Sequence, residues 1–99
     1  MAFKDNYDFD LLINEAEHLV IEELGKQLSE TEDICKCQDC VLDMAALAMN
    51  NIKPAYRSSF TGVIYAQRLI NGDYITKVSE NVKTAIDKVS KNPSHDPEK

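Results

Sequence analysis

Cys35, Cys37 and Cys40 are the only cysteines in the chain, and they fall within six positions. Residues 41–49 follow at once, and Asp43 is their only charge. Unrelated thiols scatter through a sequence, so this clustering indicates a shared task. Thiolates bind zinc well, and a structural zinc site takes four tetrahedral ligands. A spacing of three places the sulfurs of Cys37 and Cys40 on one side of a turn or helix start. Cys35, two residues earlier in a loop, can swing to a third vertex. The N-terminal end of a following helix favours thiolate over thiol through its amide N–H groups and dipole. Three thiolates on one ion couple strongly to folding, because the unfolded chain holds no preformed site. The fourth ligand has to come from elsewhere. His18 falls mid-helix beside Leu19 and Val20 and reads as a surface or packing residue. His95 follows the helix stop at Pro93, and antiparallel packing returns it to the cysteine loop, so His95 is the candidate. Asp33, Asp39 or a water are weaker ones. The competing chemistry is redox, since Cys37 and Cys40 form a CxxC. No strand is predicted before the motif, and the third cysteine favours chelation over a two-thiol couple.

The rest of the pattern predicts helices. Leu12, Ala16, Leu19, Val20, Leu24 and Leu28 recur at three- and four-residue steps, which predicts an amphipathic helix over residues 8–28. Asp8 or Asp10 caps its start in this reading. Gly25 costs about 1 kcal/mol inside a helix, so fraying is expected from there. A second helix is expected from Cys37 or Asp39 to about Asn51, stopped by Pro54. It has almost no polar face, so it is either a central core helix or half of a dimer interface. A third helix is expected over residues 73–91, on Ile75, Val78, Val82, Ala85, Ile86 and Val89, with Asn92-Pro93 as its stop. Residues 62–71 predict a further helical piece, and Asn71-Gly72 offers a hairpin as the lesser reading. The expected fold is thus all-α, a small compact bundle of about four helices forming a dimer. It makes one domain over residues 1–99, with flexible tails at 1–7 and 93–99.

With 99 residues the core is marginal, and chains of this size often add a metal or a partner subunit. The net charge of −6 opposes binding of long nucleic acid. No apolar stretch is long enough to span a bilayer, and the N-terminus has no apolar leader core, which predicts a cytoplasmic protein.

The segment "DICKCQDCVLDMAALAMNNIKPAY" resembles the centre of the late competence protein ComFB family. That pattern runs acidic-Ile-Cys-x-Cys-x-x-Cys, then Asp-hydrophobic-Ala-Leu-Ala-Leu-Asn, a Pro and a Tyr. Here it falls on Asp33, Ile34, Cys35, Cys37, Cys40, Asp43, Ala46, Leu47, Ala48, Asn50, Pro54 and Tyr56. Asn14 and Glu17 are similar to the family's Asn-x-x-Glu first helix, and "GVIYAQRL" and "VSKNPSHD" to its later stretches. The resemblance implies a small all-helical homodimer that carries zinc on its cysteines and has no catalytic activity. It also implies an alternative, because other members, often without the cysteines, are receptors for cyclic dinucleotides such as cyclic di-GMP. Two positions depart from the common pattern: Asn51 stands where many members have Arg, and Lys53 where many have Pro.

Three readings follow. The first is a non-enzymatic regulatory or binding protein with structural zinc on Cys35, Cys37, Cys40 and His95. No nucleophile triad, phosphate loop or open His-rich zinc site accompanies it. The alternative is a cyclic dinucleotide receptor. There Tyr56 stacks on a base, Lys53 and Arg57 meet phosphates, and Asn50 bonds a base edge. In the simpler reading of that loop, Tyr56 closes over Pro54 and the two cations are solvated. The third is a thiol or metal redox switch.

Overall fold

The computed structural model describes residues 2–58 and 70–93. Two short 3-10 turns, Phe3–Asn6 and Phe9–Leu11, lead into strand β1 (Ile13–Asn14) and helix α1 (Glu15–Ser29). Helix α2 (Gln38–Asn50) comes next, then strand β2 (Tyr56–Arg57) and helix α3 (Gly72–Lys91). Strands β1 and β2 pair antiparallel, Ile13 opposite Arg57 and Asn14 opposite Tyr56.

The expectation of an all-α bundle is met in its main part. Among the described residues the chain is mostly helical, with three α-helices and this two-stranded sheet. Strands of two residues carry no readable alternation, so the sheet has no signature in the sequence. The helical piece expected at 62–71 lies outside the described residues as far as residue 69. Asn71-Gly72 makes no hairpin. Asn71 is instead the N-cap of α3, its side chain accepting from the Tyr74 N–H at 3.0 Å.

Helix α1 starts later than residues 8–28 imply. Asp8 does cap, but it caps a 3-10 turn, accepting from the Asp10 N–H at 3.1 Å. Asn14 opens the α-helix, because its Oδ1 accepts from the Ala16 N–H at 3.2 Å and from the Ala55 N–H at 2.8 Å. Glu15 N–H donates to the Ala55 carbonyl at 2.8 Å, and Arg57 Nε pairs with Glu15 Oε1. One junction therefore joins the start of α1 to the chain after Pro54. At its other end α1 runs through Gly25 without fraying and stops at Ser29, whose hydroxyl donates to the Lys26 carbonyl. Upstream, Phe3, Tyr7 and Phe9 gather their rings, Phe3 and Tyr7 with centroids 4.9 Å apart.

The core lies where the three helices meet. Ala16, Val20, Leu24 and Leu28 line one face of α1 at four-residue steps. Cys40, Met44 and Ala48 form a single buried ridge of α2. From α3 come Tyr74, Val78, Val82, Ala85, Ile86 and Val89. Tyr74 thus takes the place expected for Ile75, which is 47% exposed, and the Tyr74 hydroxyl donates to the Lys53 carbonyl. The nearly all-apolar α2 is not buried all round: Leu42 is 57% exposed, and Ala46 is exposed on the same side. No helix among the described residues is long and apolar enough to cross a membrane.

Candidate metal centre

The loop between α1 and α2 is shaped before its thiols come into play. Thr31 Oγ1 donates to the Gln27 carbonyl at 2.7 Å, closing the end of α1. Lys36 Nζ donates to the Leu28 carbonyl at 2.7 Å. A cation at a helix C-terminus satisfies orphan carbonyls and suits the dipole. This bond ties the cysteine loop to α1 through the residue between two cysteines. Asp33 has φ 64°, a left-handed conformation that Asp tolerates better than most residues, and it turns the chain toward α2. Ile34 and Cys35 then pack half-buried against the core.

Cys37 is the N-cap of α2, and its Sγ accepts from the Cys40 N–H at 3.5 Å. Cys40 sits one turn in, fully buried, on the same ridge as Met44. Cys35 is half-buried and Cys37 exposed, and no disulfide joins any of the three. Burial pushes the Cys40 thiol up to about 12, with hydrogen bonds and charge from Cys35 and Cys37 acting in the same direction. A metal taking this sulfur as thiolate has to displace that proton, so its hold weakens as pH falls.

The three Sγ atoms lie within 4.8 Å of one another. Tetrahedral zinc with Zn–S bonds of about 2.3 Å sets its sulfurs about 3.8 Å apart. Small side-chain rotations close that difference, so the donor set fits a soft or borderline cation. Neither exposed Asp33 nor exposed Asp39 joins the group. His18 is exposed on α1, and His95 lies outside the described residues.

The four residues considered for a cyclic dinucleotide are not gathered in one pocket. Arg57 pairs with Glu15, both about one quarter exposed. Tyr56 is 56% exposed and does not close over Pro54; Ala55 is the buried residue there. Asn50 is exposed at the end of α2. Lys53 alone of the four lines a pocket of about 420 Å³, together with Asn51, Asn71, Tyr74 and Lys77. Sequence reasoning missed Glu15, Lys36 and Tyr74, and it assigned Asn14 no role. Asn14 with Glu17 three residues on is a helix-start signature that could have marked Asn14; the other three act through tertiary contacts.

Comparison with known proteins places this arrangement. Residues 13–93 match the family described as late competence development protein ComFB. The Competence protein ComFB of Bacillus subtilis (strain 168) is 30% identical over 57 residues, 58% of each chain. The chain thus matches under two thirds of that relative's length. The solved structure of the late competence protein ComFB from Bacillus subtilis matches with a TM-score of 0.65 at 27% identity, covering 84% of this chain and 94% of that one. With a family match that spans α1, the thiol loop, α2 and α3, the chain belongs to the late competence development protein ComFB family.

Proposed function

We propose that this chain is a cytoplasmic, non-enzymatic regulatory or binding module in which Cys35, Cys37 and Cys40 hold a structural zinc ion, with His95 as fourth ligand, and that it works as a homodimer. The observation that carries the reading is the convergence of three sulfurs within 4.8 Å at the α1–α2 junction. Zinc bound there supplies a cross-link between the loop and the core. The chain's own residues prepare it: Lys36 anchors the loop on Leu28, and Cys37 caps α2. Cys40 brings the core ridge into the donor set. A marginal core of this size gains from such a staple.

Metal analysis of protein purified without chelator tests it. About one zinc per chain is expected, and Cys37→Ser should lose it and lower the melting temperature. Cys37 is exposed, so its serine variant opens no cavity in the core. Near-zero metal in the unmodified protein refutes the reading, whereas retained metal in His95→Ala refutes only the fourth ligand.

The dimer reading is supported by an apolar groove of about 550 Å³ between α1 and α2, lined by Ile21, Gly25, Leu28, Leu42, Ala45 and Ala46. Ile21 and Leu42 are each more than half exposed on it. A second copy presenting the same stripe would cover both in an isologous contact. Leu42→Lys should yield monomers of unchanged helicity by sedimentation and circular dichroism. A monomeric mass for the unmodified protein at high concentration refutes the dimer.

A second reading, cyclic dinucleotide binding, is favoured by Lys53 and Lys77 lining one polar pocket, where Asp73 offsets part of their charge. Calorimetric titration with cyclic di-GMP and cyclic di-AMP tests it, and affinity no tighter than millimolar for both excludes it.

A further inference from the structure

The three thiols are unequal in access. Cys37 is exposed, Cys35 half-buried and Cys40 buried. Cys37 caps α2 and Cys40 lies in its first turn, where the Cys40 N–H donates to Cys37 Sγ at 3.5 Å. Their sulfurs already lie within 4.8 Å of each other, and a disulfide wants Cβ atoms about 3.8 Å apart, so side-chain rotation with a small backbone adjustment joins this pair. Bridging Cys35 to Cys37 instead bends the chain across Lys36, whose Nζ is tied to the Leu28 carbonyl.

We propose that Cys37 and Cys40 form an oxidation site for hydrogen peroxide, with Cys37 the reacting thiol and Cys40 the resolving one. Cys37 Sγ attacks a peroxide oxygen, the O–O bond breaks, and the leaving oxygen takes a proton to depart as water. Cys37 is then a sulfenic acid. Cys40 Sγ attacks that sulfur, the S–S bond forms, and the S–O bond breaks. The departing hydroxide carries the Cys40 proton away as a second water. Two thiols lose two electrons and two protons, and one peroxide becomes two waters. Exposure selects Cys37 for the first step, since oxidation follows access. The capping contact between the two selects Cys40 for the second. The disulfide removes two of three thiolates from the metal centre, so oxidation releases zinc; that consequence alone rests on the zinc reading.

The test treats the full chain, zinc-loaded and metal-stripped, with hydrogen peroxide, alkylates it and digests it with trypsin. Cleavage after Lys36 separates Cys35 from Cys37 and Cys40. The expected product is a peptide carrying Cys37 and Cys40 that resists alkylation and is lighter by two hydrogen atoms. In the loaded arm one zinc is released per disulfide. Cys35→Ser should still form the bond in the stripped arm, and Cys37→Ser should lose it. A link from the Cys35 peptide to the other, or a sulfinic acid at Cys37 with no disulfide, overturns the proposal. The arms separate the two readings. A disulfide in protein that never binds zinc refutes the zinc reading and supports the oxidation site, whereas bound zinc with no disulfide does the reverse.

Discussion

At the scale of single residues, Asn14 holds more together than its half-exposed position implies. Its one side-chain oxygen caps α1 and receives the Ala55 N–H from 41 residues away. Losing an N-cap costs about 1 kcal/mol, and orphaning the amide of the fully buried Ala55 adds about 1–3 kcal/mol. Asn14→Ala is therefore expected to destabilise by about 2–4 kcal/mol in urea denaturation. Asn14→Asp, which keeps both acceptor roles, should cost much less. Tyr74 carries a pH signature. Burial raises its hydroxyl above the ordinary 10.0, so the folded chain holds that proton more tightly than the unfolded one. The stability this gives is fully present below the ordinary tyrosine value and is lost as pH climbs through the raised one. Tyr74→Phe should cost about 0.5–1.5 kcal/mol at neutral pH by losing the bond to the Lys53 carbonyl. The same variant should flatten the alkaline fall in urea midpoint.

At the scale of elements, α1 carries an avoidable weakness. A Cβ placed on Gly25 meets nothing within 4 Å, and the backbone there is helical. Gly25→Ala should therefore stabilise the fold by about 0.5–1 kcal/mol, seen as a melting point higher by a few degrees. How far the elements were legible follows from how local their causes are. Helix α3 was readable because Val78, Val82, Ala85, Ile86 and Val89 repeat at three and four, and Asn92-Pro93 ends the pattern. Its first turn was misread by one face, because Tyr74 finds a carbonyl on another segment. The start of α1 was misplaced because Asp8 and Asp10 with Leu11 and Leu12 look like a capped amphipathic start. Asn14 prevails because its second partner is distant in sequence. The thiol group was visible as spacing, and the helix beginning at Gln38 confirms why that spacing brings sulfurs together. Lys36 as the loop's anchor was not visible, since its acceptor is the carbonyl of another helix.

At the scale of the whole molecule, the three helices share one core, and Met44 stands near its centre with no exposed surface. Met44→Ala should cost about 2–5 kcal/mol and broaden thermal unfolding toward a loosely packed state. Cys40 belongs to that same ridge and to the thiol group at once. The two roles constrain sequence drift unequally. A lineage that loses the thiol cluster is released most at position 37, which is exposed, and there polar replacement carries little penalty; position 35 is half-buried against the core and is released less. Position 40 is still bound by the interior, so it should drift only among small apolar residues such as Ala or Val. An alignment of cysteine-poor relatives can be read for that asymmetry: charged residues accepted at position 40 as freely as at 37 would mean that the interior tolerates far more there than its packing implies.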